Sequence, residues 1–385
     1  MRVLNTLYYY RPHFSGLTVY TERLAKALVA NGHAVTVLTS RYSPALLAEE
    51  SLNGVSVRRV NVLTTVSKGP IMPTFVVHAW RLLRTHELLH LHVPQLDAAP
   101  LALLARLMGK PVVVTYHCDL SLPASLLNRL ANWASHLANE VTLRLAQAVV
   151  TNTRDYAENS PALQGVLPKL EVIPPPAIVA AVEPARVAML RAAYAIEPGD
   201  RVIGMAARLA TEKGAEVLAQ AMPLVLQSHP TARVLYVGQY QDVMGEAAYL
   251  DRLKPTLDAL GNRWAFLGVL EAEDLAAFYT LCDVTVLPSL NSTESFGMVQ
   301  VESMLCGTPV VASDLPGVRQ PVTQSGMGLV VPPRDPLLLA QAIIQVLAEP
   351  ERFAGQGCAW CEQLSPAAVA ESYQRLYVRL LSGNN

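Results

Sequence analysis

The sequence predicts an α/β protein built from two parallel-sheet domains. Three observations lead there. Short β-branched runs alternate with helical patterns along the 385-residue chain, and such alternation builds a parallel sheet covered on both faces. The alternation is interrupted at Pro174, Pro175 and Pro176, a run that neither a helix nor an interior strand accommodates. The length suits two domains, and 51% apolar against 16% charged residues is enough for large cores.

The elements follow in order. "MRVLNTLYYY" reads as a first strand. The helix "TVYTERLAKALVANG" closes on Gly32, and the strand "AVTVLTS" comes next. Then come "LLHLHVP", the helix "APLALLARLMG", the strand "PVVVTYH", a helical region at 121–146, and "AVVTNT". Beyond the prolines the pattern restarts with "RVIGMAARL", a helix at 214–228, "ARVLYVG", a helix at 246–260, "RWAFLG" and a helix at 272–281. "DVTVLPS", a helix at 296–306, "PVVASD" and "GLVVPP" complete it. The expected boundaries are a first domain at 1–173, a Pro-rich linker and lead-in at 174–200, and a second domain at 201–365. Two such domains joined by a hinge would face each other across a cleft, with ligands at the carboxyl ends of the strands.

Charge and cysteine usage narrow the class. The net charge of −1 divides into +7 over residues 1–170 and −8 over the rest, which suggests different partners for the two halves. No apolar run reaches the roughly 18 residues that a membrane span needs. The start is too short and too aromatic for a signal peptide, and five cysteines suit a reducing compartment. A cytoplasmic protein is expected. Cys358 and Cys361 form a CxxC, but no second pair or nearby histidine completes a zinc site. His86, His90 and His92 lack a further ligand at suitable spacing and read as structural.

Four clusters fall at strand ends or in the turns after them. Gly16 follows the first strand and precedes a helix, where a backbone can approach a phosphate. His117 ends an apolar strand, placed to hold a hydroxyl or stabilise charge, with Asp119 two residues on. Arg208 and Lys213 follow the first strand of the second domain and Gly214 opens the next helix, which suits a diphosphate. In "ESFGMVQVE" the loop residue Glu294 enters a helix and Glu302 lies within it. The amides of Gly297, Met298 and Val299 then face a ligand's phosphate oxygens, while the two carboxylates accept from sugar and ribose hydroxyls.

These residues bring the chain into resemblance with a known family. "RLATEKG", "LPSLNSTESFGMVQVESMLCGTPVVAS" and the E-x7-E spacing resemble retaining glycosyltransferases of GT-B fold, family GT4. The resemblance implies two Rossmann-like domains binding a nucleotide sugar, GDP-mannose or UDP-glucose for example, with no further cofactor and no DxD metal motif. It implies that Arg208 and Lys213 contact the diphosphate, that Glu294 and the amides after it contact the sugar, and that Glu302 contacts the ribose. Leu270, Ser295, Phe296, Gly297, Met298 and Val299 join Gly16 on the donor-binding side, and His117 with Glu294 would be catalytic. The family's final helix crosses back to the first domain, and residues 366–385, with Tyr377, fit that role.

There are departures from the family pattern. Ser15-Gly16 stands where Gly-Gly is frequent, and Gln320 in "DLPGVRQPV" replaces an acid.

The activity implied is transfer of a hexose, of mannose or glucose type, to a glycan or lipid-linked acceptor. Retention would follow a front-face path in which the leaving diphosphate takes the acceptor's proton. Alternatives are another GT-B sugar-nucleotide enzyme, epimerase-like, or a non-catalytic nucleotide-sugar-binding protein. A basic first domain favours an anionic or lipid-linked acceptor. Leu126, Leu130, Trp133, Leu137 and Val141 recur at helical spacing, either covering the sheet or resting, with Arg129, on the inner face of an anionic membrane.

Overall fold

Strands that are apolar on both faces need two layers of helices, and each half of the chain supplies them. The computed structural model describes residues 1–66, 69–119, 126–243, 246–354 and 359–383. The side chains of Leu126, Arg129, Leu130 and Trp133, and residue Cys358, lie outside the described residues. Two units emerge, Met1–Pro176 with Leu364–Asn385, and Ala177–Gln363.

The first unit carries strands β1 (Arg2–Thr6), β2 (Ala34–Arg41), β3 (Glu49–Leu52), β4 (Val55–Asn61), β5 (Thr64–Val66), β6 (Gly69–Ile71), β7 (Leu88–Val93), β8 (Val112–Tyr116), β9 (Ala148–Thr151) and β10 (Leu170–Val172). Its helices are α1 (Gly16–Ala30), α2 (Phe75–Leu83), α3 (Ala98–Leu107), α4 (Leu126–Leu145) and α5 (Arg154–Asn159). The main sheet runs β10-β9-β8-β7-β1-β2-β4-β3, parallel except for β3, with β5 and β6 forming a separate antiparallel pair. One face packs α2, α3 and α4 around Leu4, Leu89, Val114, Phe75 and Leu101. The other packs α1 and the chain's last helix around Val3, Leu24, Val113, Tyr373 and Tyr377.

The second unit begins with α6 (Pro184–Ala193), inside the expected linker. This helix packs on α9, and Arg186 meets Asp274 at 2.7 Å. There follow β11 (Val202–Ala206), α7 (Ala215–Ser228), β12 (Arg233–Val237), α8 (Ala247–Leu260), β13 (Trp264–Gly268), α9 (Ala272–Leu281), β14 (Val284–Leu287) and α10 (Met298–Leu305). Then come β15 (Val310–Ser313), α11 (Gln320–Ser325), β16 (Gly328–Val331), α12 (Pro336–Ala348), α13 (Pro350–Phe353) and α14 (Ala359–Glu362). The wholly parallel sheet runs β13-β12-β11-β14-β15-β16. The chain therefore winds outward from β11 in one direction and then from β14 in the other. That reversal opens a crevice at the carboxyl ends of β11 and β14.

The closing helix α15 (Pro366–Leu381) belongs to the first unit, as expected. Cys361 is disulfide-bonded, whereas Cys118, Cys282 and Cys306 are free. No helix among the described residues is long and apolar enough to cross a membrane.

Candidate functional site

In the second unit the loops after β11 and β14 are bound to each other. Leu290 N donates to Glu212 O at 2.9 Å. Gly214, with φ of 71°, caps α7 so close to the other loop that a Cβ would lie 2.0 Å from Pro288 O. The reversal point thus brings Arg208 and Lys213 together with Glu294, which lies 81 residues beyond Lys213 in sequence. Lys213 Nζ donates to Glu294 Oε2 at 2.5 Å with both side chains largely shielded, and Arg208 pairs with Glu212 at 2.6 Å. Each cation therefore starts with a carboxylate beside it, and the sequence reading placed neither pairing. An arriving anion would share or displace these partners.

The helix after Glu294 is positioned by tight packing. Gly297 caps α10 with φ of 79°, without a side-chain cap, and a Cβ there would sit 2.3 Å from Leu287 Cδ2. Buried Gln300 donates through Nε2 to Phe296 O and Val318 O, at 2.8 and 2.9 Å, pinning the turn. The first amides of α10 therefore emerge beside Glu294, an arrangement suited to phosphate oxygens. Met298 and Val299 are half-buried, whereas Ser295 and Phe296 are buried, the latter with its ring near Trp360. Glu302, just over one turn into α10, is also buried and accepts from the Tyr279 hydroxyl at 3.1 Å. Leu270 lies beyond β13 and packs partly buried on the α9 side of the sheet.

In the first unit Gly16 opens α1, and Ser15 has a structural task of its own. Its hydroxyl caps the helix by accepting from Thr18 N at 3.2 Å. His117 follows β8, its amide held by Val93 O at 3.0 Å. Its Nε2 meets His92 Nδ1 at 3.0 Å, the two rings stack, and Tyr20 presents an edge-on ring 4.8 Å away. Burial pushes the His117 imidazole down to about 3 and His92 well below its ordinary value, so both are neutral at pH 7. One proton therefore lies between them. Buried His92 Nε2 has no hydrogen-bond partner. A bare lone pair there costs less than an orphaned N–H, so His92 Nδ1–H is the donor and His117 carries its own proton on Nδ1.

Below this pair runs a buried polar chain. His90 Nδ1 meets Tyr377 OH at 2.8 Å, and its Nε2 meets Thr115 Oγ1 at 2.7 Å. Thr115 Oγ1 meets Tyr373 OH, which meets Tyr20 OH, each at 2.7 Å. His86 is held separately by Leu82 O and Thr36 Oγ1, at 2.7 and 2.9 Å. The structural reading of His86 and His90 stands, but His92 also orients His117. Its alternation with His90 in "LLHLHVP" was visible. The partner was not, because the β7–β8 register brings His117 alongside.

Comparison with known proteins agrees with this architecture. The family model "Glycosyl transferase 4-like domain" matches residues 15–176, and "Glycosyl transferases group 1" matches residues 188–356. The D-inositol 3-phosphate glycosyltransferase of Segniliparus rotundus is 26% identical over 372 residues, covering 89% of this chain and 79% of that one. The phosphatidyl-myo-inositol mannosyltransferase of Mycobacterium leprae is 32% identical over 168 residues, covering 43% and 42%. Among solved structures, Anabaena HepE in complex with UDP and glucose superposes with a TM-score of 0.78 at 21% identity, covering 98% and 99%. With both sheets built as a GT-B pair of Rossmann-like domains and the two models spanning most of its length, the chain belongs to the group 1, GT4 family of glycosyltransferases.

Proposed function

We propose that the protein transfers a hexose of mannose or glucose type, with retention, from a nucleoside-diphosphate sugar to an anionic or lipid-linked acceptor. The observation that carries this is the gathering of Arg208, Lys213, Glu294 and the α10 N-terminus at the strand-order reversal. The α10 amides and the two cations receive the diphosphate oxygens. As Lys213 turns to phosphate, Glu294 is released to accept from sugar hydroxyls. Buried Glu302 is already oriented by Tyr279 and offers its carboxylate to the ribose. His117 donates from Nδ1 to a substrate hydroxyl oxygen and needs no proton exchange.

The bond between the anomeric carbon and the leaving phosphate oxygen breaks while the acceptor oxygen bonds to the same face of that carbon. The acceptor's proton passes to the leaving diphosphate. Side-chain cations and helix amides stabilise the developing charge without reorganising, so no metal is required. The inositol 3-phosphate and phosphatidyl-inositol in the relatives' names are both anionic, which supports an anionic acceptor for the basic first half.

The experiment is transfer assayed over a panel of nucleotide sugars. Arg208→Ala and Lys213→Ala should each lower turnover about a hundredfold, the effect of losing one preorganised charge-stabilising group. EDTA should leave wild-type transfer intact. Near wild-type turnover in both variants, or an EDTA loss that magnesium restores, would refute the reading.

A further inference from the structure

The outer face of the first unit's α2, α3 and α4 layer combines apolar and basic side chains in a pattern that a water-facing surface does not require. Helices α2 and α3 pack side by side, as do α3 and α4, so their outward faces are continuous. Val77 and Trp80 on α2, Leu103 and Leu107 on α3, and Leu137 and Val141 on α4 are all exposed, Leu107 by 78%. On α2 the inward positions Phe75, Ala79 and Leu83 are buried at helical spacing, and the opposite stripe reads Val77, Trp80, Arg81, Arg84. The apolar residues on that stripe are therefore surplus to the core.

Charge identifies what meets them. Exposed Arg81, Arg84, Arg106 and Arg144 share the face, and α2 and α3 contain no acidic residue. Glu140 is the described acid on the outer side of α4, and Arg144 neutralises it at 2.5 Å. Lys169 adds a further cation at the α4 end, donating to Arg144 O and Ala146 O at 2.9 and 2.7 Å. The Arg84 guanidinium lies 5.5 Å from the Trp80 ring centre, so an amphipathic ring and a cation form one unit. A nucleic acid would meet the arginines but gain nothing from Leu103, Leu107 and Val77. A lipid headgroup region offers negative charge above and hydrocarbon below.

We infer that this three-helix face docks on an anionic lipid bilayer, with Trp80 and Leu107 inserting among the headgroups and the arginines contacting lipid phosphates. The contact is peripheral. It extends over α2 and α3, well beyond the α4 segment that sequence periodicity singled out.

The test is co-sedimentation of the full chain with vesicles and no sugar donor present, so that its outcome is separable from that of the transfer assay. Phosphatidylglycerol/phosphatidylcholine vesicles should bind the protein, pure phosphatidylcholine vesicles should not, and about 0.5 M salt should weaken binding. An Arg81→Glu, Arg84→Glu, Arg106→Glu variant should bind more than about a hundredfold more weakly. A Trp80→Ser, Leu107→Ser variant should lose about tenfold or more even at low salt. All five positions are exposed, so both variants should melt as the wild type does. No binding to anionic vesicles overturns the proposal, as does binding that both folded variants retain. A concentration-dependent dimer dissolved by Leu107→Ser, without vesicle binding, also overturns it and assigns the face to a second copy.

Discussion

Gly214 is the point at which two donor-side loops press together. Its φ of 71° disfavours any L side chain, and an added Cβ would meet Pro288 O at 2.0 Å. Gly214→Ala must therefore separate the loops or distort the turn. We expect a loss of about 2 kcal/mol or more in the stability of the second unit, read by chemical denaturation, together with weaker nucleotide-sugar binding. Unchanged stability would mean that the loops yield freely. Arg208, Lys213 and Glu294 were legible as charged residues at strand ends. Their pairing was not, because Lys213 and Glu294 stand 81 residues apart and meet only through the adjacency of β11 and β14.

Helix α15 is held in the first unit by more than apolar burial. Tyr373 and Tyr377 are fully buried among the residues of that unit's core. The Tyr377 hydroxyl reaches His90 Nδ1 at 2.8 Å across 287 residues of sequence. Tyr377→Phe keeps the packing but leaves a buried ring nitrogen with its hydrogen bond lost. The expected cost is about 1–2 kcal/mol in urea denaturation. A cost near zero would show that His90 finds another partner. The final helix, with Tyr377 on it, was expected from the family resemblance, whereas its bond to His90 depends on which strand occupies the middle of the sheet. Helix α6 was missed because the adjoining prolines dominate the local pattern, although Pro184 at its first turn is a favourable helix start.

Across the whole molecule, histidine burial makes acid sensitivity unequal between the units. Folded His90 ionises only near 3 because burial excludes its charged form, against about 6.5 in an unfolded chain. His92 is displaced in the same direction and for the same cause. As pH falls below about 6.5 the unfolded chain binds protons first. Stability is therefore fully present above that value and lost as pH falls toward 3, at up to about 1.4 kcal/mol per pH unit for each histidine. The second unit contains a single histidine, His229. Calorimetry between about pH 7.5 and 4.5 should show the first unit's transition falling much further than the second's. Equal shifts would contradict this assignment.

The amino-acid sequence by itself determined the two parallel-sheet domains, the order of their main elements and the glycosyltransferase family. These rest on periodicity and on short motifs that a local stretch of chain carries whole. It also marked Gly16, His117, Arg208, Lys213, Glu294 and Glu302. Only the tertiary structure decided that Ser15 caps α1, that His92 pairs with His117, and that each cation already faces a carboxylate. It likewise decided that the apolar stripes of α2, α3 and α4 share one basic face. The reason is the same in each case. Strand order and helix layering set which side chains become neighbours, and a sheet wound outward in both directions joins residues that no local pattern connects.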